Sequence, residues 1–188
     1  MIHWHAALKI LGYVRETSSL KITFRRGSSH GLMLRAYADA NYASRTADMR
    51  SVSGGPIMCG GGCVSWFSRT QTCVTLSTSE AEYVAMTDVV KEILDLRQVW
   101  EYMMPHEGAP CIKLFEDNQG AIQMAENPIT NSSSKHIRVR YHFIGEIVAE
   151  KEIEIEHVGT EDQHADFLTK ALPRAIFEYH RNFVMNIN

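Results

Sequence analysis

Apolar positions change their spacing along this 188-residue chain, and each change predicts a different element. In "HWHAALKILGYVRE", Trp4, Ala7, Leu8, Ile10 and Leu11 recur near the helical period, so a helix is expected over residues 3–16. A short strand follows over Leu20–Phe24, then a Gly/Ser-rich connector. From residue 31 the texture shifts to strands. "LMLRAYADANYAS" reads as a buried strand with a polar end, and "SVSGGPIMCGGGCVSWFSR" as a hairpin turned at Gly60–Gly62. "CVTLS" is a further extended piece, and Trp66, Phe67, Tyr83 and Trp100 are expected in the core.

Residues 78–104 carry the longest helical stripe, with Ala81, Val84, Ala85, Val89, Ile93, Leu96, Val99, Trp100 and Met103 on it. Pro105 and Gly108 mark its end. "CIKLFEDN" is another strand ending in acid, and "NQGAIQMAEN" a short helix closed by Asn127-Pro128. "SSSKHIRVRYHFIGEIVAEK" repeats at helical spacing, while "EIEIEHV" alternates as a strand. "TEDQHADFLTKAL" predicts a helix capped by Thr160, and Pro173–Met185 a terminal one. A hairpin followed by strands that alternate with helices predicts an α/β domain whose sheet is part antiparallel and part parallel.

Candidate chemistry sits where these elements end. Two strands finish in acid, one at Asp39 and one at the pair Glu116/Asp117. Functional groups gather at the carboxyl ends of strands in open α/β sheets. Glu82 lies near the start of the long helix and Asp166 in the first turns of a later one. Glu80 and Glu82 both suit a helix N-terminus, where Ser77, Thr78 or Ser79 can cap and an acid favours the dipole. If the four elements meet at one sheet edge, their carboxylates raise one another's pKa unless cations intervene. Oxygen donors of this kind suit Mg²⁺ or Mn²⁺. Spacing alone does not establish such a cluster, and a chance scatter of acids stays open.

Composition narrows the picture. Apolar content of 45% supports a sizeable core, and no apolar run is long enough to span a bilayer, so a soluble intracellular protein is expected. The four cysteines form no CxxC pair, and with nine histidines still no cluster has zinc-ligand spacing. A net charge of −3 gives no global attraction to nucleic acid, so such a partner would need a local basic patch. The glycine run lacks a P-loop ending, and no nucleophile triad stands out.

Read in order, "YADANYAS", "GGGCVSWFSRTQTCVTLSTSEAEYVAM", "FEDNQGAIQMAENP", "SKHIRVRYHFI" and "HVGTEDQHADFLTKALP" resemble the ribonuclease H region of copia-type retrotransposon polyproteins. The resemblance implies a ribonuclease H-like fold, a five-stranded mixed sheet flanked by helices, over residues 31–173. Residues 1–30 resemble the end of the reverse-transcriptase region, and 174–188 would be a C-terminal helix or tail. Met1 would then be an internal start within a larger polyprotein.

The implied activity is metal-dependent hydrolysis of the RNA strand of RNA/DNA hybrids, with the reverse-transcriptase portion of the polyprotein as a partner. It implies a cytoplasmic (virus-like particle) or nuclear setting. The family's metal-binding acids fall on Asp39, Glu82, Asp117 and Asp166, holding two Mg²⁺ ions that Mn²⁺ can replace. Asp39 would bridge both ions, Glu82 and Asp117 would serve the leaving-oxygen side, and Asp166 the attacking water. Glu80 is then left to capping. A catalytically idle remnant that keeps only affinity for the hybrid is the alternative.

The chain departs from the family at Asn41, where a second acid is usual, and at Gly55, where an aromatic is usual. Arg69, Asn118, Gln119, Lys135 and Arg138 are candidate substrate contacts. Each also has a plainer reading, as a turn residue, a helix cap for Asn118, or a solvated basic face. His157 could assist product release or simply end a strand.

Overall fold

A computed structural model describes residues 2–24, 33–106, 108, 110–127 and 135–187. Its strands are β1 (Leu34–Tyr37), β2 (Asp39–Asn41), β3 (Val52–Cys59), β4 (Gly62–Thr70), β5 (Ile112–Glu116) and β6 (Ile153–His157). The helices are α1 (Ile2–Glu16), α2 (Thr78–Met103), α3 (Gln119–Glu126), α4 (Lys135–Ala149), α5 (Asp166–Thr169) and α6 (Arg174–Met185).

Six strand segments fill five positions, because β1 and β2 are one strand broken at Ala38 and both pair antiparallel with β3. β4 pairs with β3, while β5 and β6 add parallel to β1 and to each other. The expected mixed sheet is therefore present. The β3–β4 hairpin turns at Gly60 and Gly61, whose φ of 58° and 88° is the left-handed backbone that two-residue hairpin loops require.

Alternation along the central strands assigns the two faces. Leu34, Ala36, Ile57, Ile112, Leu114 and Ile153 meet α2 through Tyr83, Met86, Val90 and Ile93, and α3 and α4 through Ala121 and Ile144. The opposite face carries Tyr37, Met58 and Cys63 against Val184 of α6. Ser77 caps α2 by accepting from the Glu80 amide at 3.1 Å, and Glu80 reaches back to the Leu76 amide at 2.7 Å. Glu80 is thus a capping residue. Among the described residues no helix is long and apolar enough to cross a membrane.

Four expectations need correction. Leu20–Phe24 is extended but joins no strand; its Thr23 amide donates to the Met185 carbonyl at 2.9 Å. "CVTLS" forms an irregular link, tied down where the Thr75 hydroxyl meets that of Ser51 at 3.2 Å. Trp66 is 60% exposed on the edge strand β4 and does not join the core. Residues 160–172 do not make one helix capped by Thr160. They make a 3₁₀ turn over Thr160–Asp162, a break, and the single-turn α5. The break comes from Gln163, whose buried side chain turns inward to donate to the Ala38 carbonyl at 2.8 Å and accept from the Ala165 amide.

The helix at the N-terminal end lies unusually. Tyr13 rests edge-on against Phe177 of α6 with ring centroids 5.7 Å apart, and Lys9, Gly12 and Glu16 line the same cleft. Trp4, Leu8, Ile10, Leu11 and Val14 occupy the other half of the helix circumference and are exposed. α1 therefore turns its more polar face to the domain and its apolar face outward.

Candidate active site

The break at Ala38 redirects the chain so that Asp39, first residue of β2, is fully buried opposite Gly54. Glu82, one turn into α2, points to the same place and is fixed there by the Ala40 amide, which donates to its Oε2 at 2.6 Å. Asp117 follows the end of β5. One ligand oxygen from each of Asp39, Glu82 and Asp117 lies within 4.8 Å of the others, so three distant segments converge on one point. This is the only such cluster of three or more metal-ligating side chains among the described residues.

Asp166, at the start of α5, joins the site through Lys170. The Lys170 ammonium lies 2.9 Å from Asp39 Oδ1 and 2.8 Å from Asp166 Oδ1. The Thr169 hydroxyl donates to the second oxygen of Asp39 in a short hydrogen bond. α5 can come this close because residue 54 has no side chain: a Cβ there would stand 2.7 Å from Thr169 Cγ2 and 2.8 Å from Leu168 Cβ. Asn41 donates to the Thr169 carbonyl at 3.1 Å and holds the same turn from the other side.

Glu116 was legible only as a strand-end acid, yet it is fully buried beside the cluster. Its Oε1 accepts from the Asn118 amide at 3.0 Å, while its Oε2 meets no donor. Lys170 thus bridges two of the carboxyl groups gathered here, Asp39 and Asp166. Burial first, and then Glu116, Asp39 and Asp117, push the Glu82 carboxyl up to about 11. Burial likewise raises Asp39, against the pull of Lys170 and Thr169, and raises Glu116 well above its ordinary value. Burial would lower Lys170, but Asp39 and the hydrogen bonds to Asp166 and Asp39 raise it overall.

The remaining sequence candidates are placed as follows. Asn118 caps α3, its side chain accepting from the Ala121 amide at 3.0 Å. Gln119 is exposed at the first turn of α3, two residues after Asp117. Arg69 lies 4.0 Å over the Phe67 ring and pairs with Glu92 at 3.2 Å and Asp88 at 3.8 Å, so a phosphate would compete with two acids for it. The side chains of Lys135 and Arg138 lie outside the described residues. His157 ends β6 and is exposed. Thr169 and Lys170 escaped the sequence reading, although an Asp and a Lys four apart on a helix are a recognisable pairing signal.

No protein-family model matches the chain. Over 182 residues, 97% of its length, it is 36% identical to the retrovirus-related Pol polyprotein from transposon TNT 1-94 of Nicotiana tabacum. Pol polyproteins from two Arabidopsis thaliana transposons match over 94% and 98% of the chain, at 34% identity. The chain is a relative of retrotransposon Pol polyproteins. It spans only 12–13% of the length of these relatives.

Solved structures give the fold of this Pol relative. Ribonuclease H1 from Halobacterium salinarum superimposes with a TM-score of 0.53 at 21% identity, covering 73% of this chain and 94% of that one. LC11-RNase H1, solved in complex with an RNA/DNA hybrid, does so at 0.53 and 15% identity, covering 72% and 93%. The fold is that of ribonuclease H.

Proposed function

We propose that this chain is a ribonuclease H that hydrolyses the RNA strand of RNA/DNA hybrids during reverse transcription. The observation that carries this reading is the convergence of Asp39, Glu82 and Asp117 from β2, α2 and the end of β5 onto one point. The broad likeness to Pol polyproteins and the shared fold with a nuclease solved on a hybrid support it.

The site fits divalent cations. Its donors are all carboxylate oxygens, the set that suits Mg²⁺ and Mn²⁺, and the buried Glu116 Oε2 has no donor to satisfy it. In our reading Asp39, Glu82 and Asp117 hold one ion, and Asp39 with Asp166 a second. Bound there, such a pair would activate a water and stabilise the leaving oxygen of a phosphodiester. The residues of the chain do the preparatory work. The Ala40 amide aims Glu82, and burial keeps competing water away from Asp39. The proton that burial holds on Glu82 leaves when a cation binds, so metal uptake releases acid. To Gln119, exposed at the first turn of α3, we assign contact with the hybrid, whose 2′-hydroxyls distinguish RNA from DNA. The outward apolar arc of α1 is the face we assign to the polymerase portion of the polyprotein.

A labelled RNA/DNA hybrid incubated with Mg²⁺ tests the function. Wild type should cut the RNA strand, and Asp39→Asn should be at least about 100-fold slower, the order lost with one preorganised electrostatic group. Hybrid binding without cleavage, the same in wild type and Asp39→Asn, would replace the nuclease reading with that of an idle binding remnant.

A further inference from the structure

Both oxygens of Asp39 already have partners. Oδ1 faces the Lys170 ammonium at 2.9 Å, and Oδ2 accepts from the Thr169 hydroxyl. The same ammonium takes Asp166 Oδ1 at 2.8 Å, so it lies between the two carboxylates that a second cation would have to share. Asp39, Glu82 and Asp117 keep their own meeting point. The two halves of the cluster are therefore unequal: an ammonium belonging to the chain bridges Asp39 and Asp166, and it does not reach the point where Asp39, Glu82 and Asp117 meet.

We infer that Lys170 is a tethered counter-ion that closes the second cation position in the free protein, so that the two ions load in order. The inference rests on the nuclease reading above and deepens it. Its physical basis is charge and space. An ammonium gives each carboxylate one close hydrogen-bonded contact, as a bound ion would, but with half the charge of Mg²⁺. It cannot stay between Asp39 and Asp166 once a divalent ion sits there, because like charges at that range repel strongly in a site this buried. Lys170 has somewhere to go, since its side chain is 34% exposed and emerges where the backbone has left the helix. The platform beneath it stays in place, held by the Asn41 bond to the Thr169 carbonyl and the close packing on Gly54. Withdrawal of one flexible side chain is then enough to open the position.

Manganese binding without substrate tests this directly, with the free ion followed by its electron paramagnetic resonance signal. Wild type should take up one Mn²⁺ per chain, and Lys170→Gln, which keeps a hydrogen-bond donor without the charge, should take up two. Two ions in wild type, or one in both proteins, would overturn the role of Lys170 and leave the nuclease reading intact. No ion in either would overturn both readings. A second measurement needs no variant. Reductive methylation of wild type, mapped by mass spectrometry, should label Lys170 several-fold more slowly than the exposed Lys91, both without Mn²⁺ and with the single ion bound. Labelling of Lys170 as fast as that of Lys91 under either condition would also refute the proposal.

Discussion

Replacing Glu82 by Gln should stabilise the metal-free protein, although it removes a predicted metal ligand. Glu82 is 5% exposed, and its carboxyl is pushed up to about 11, so the folded chain carries it protonated at neutral pH. The unfolded chain ionises it above the ordinary value of 4.5. For an acid raised in this way, stability is fully present below pH 4.5 and falls as pH rises toward the folded value. At about 1.4 kcal/mol per pH unit, keeping the proton on Glu82 at pH 7 costs the fold about 3 kcal/mol. This figure depends only on the folded value lying above 7. Gln has no proton to hold, and its carbonyl can still accept from the Ala40 amide that now bonds Glu82 Oε2.

Urea unfolding in EDTA at pH 5, 7 and 8 measures the effect. Glu82→Gln should gain little at pH 5, up to about 3 kcal/mol at pH 7, and more at pH 8. Saturating Mg²⁺ should cancel most of the gain at pH 7, because binding stabilises wild type by about 3 kcal/mol at a hundred times its dissociation constant. A Glu82→Gln protein less stable than wild type in EDTA at pH 7, with no trend in pH, would refute the electrostatic account of the site.

Gly54→Ala should loosen the site from behind. A Cβ at 2.7 Å from Thr169 Cγ2 must push α5 away from β3, an overpacking cost of about 1–3 kcal/mol. A fall in melting temperature of roughly 2–10 °C is expected, and an unchanged melt would show that α5 yields freely. In α1, Trp4→Ser with Leu11→Ser should leave the stability of the isolated chain within about 0.5 kcal/mol of wild type, since both side chains face outward. The same pair should weaken co-elution with the polymerase portion of the polyprotein on size exclusion, and undiminished co-elution would remove α1 from that contact.

Much of the architecture was legible because it is local. The stripe along residues 78–104 needs only the helical period, and its start needs only Ser77 and Glu80 three apart. The Gly60-Gly61 turn is likewise a matter of neighbouring backbone. Asp39 and Asp117 stood out because strands β1–β2 and β5 run parallel with acids at the same end. Other features were hidden because they depend on which surfaces meet. Trp66 has the apolar character of a core residue, yet it stands exposed on an edge strand, a position set by the sheet order. Gln163 looks like any polar helix residue until Ala38, 125 positions away, offers a carbonyl that breaks the helix.

The sequence by itself determined the long helix α2 with its Ser77 cap, the hairpin turn and most strands, since period and turn chemistry are properties of adjacent residues. Only the tertiary structure decided how the acids are shared. Lys170 reaches Asp39 across 131 positions because sheet order, a missing Cβ at Gly54 and the bend at Gln163 bring α5 onto β2. Coulomb attraction depends on that final distance, which no local pattern encodes.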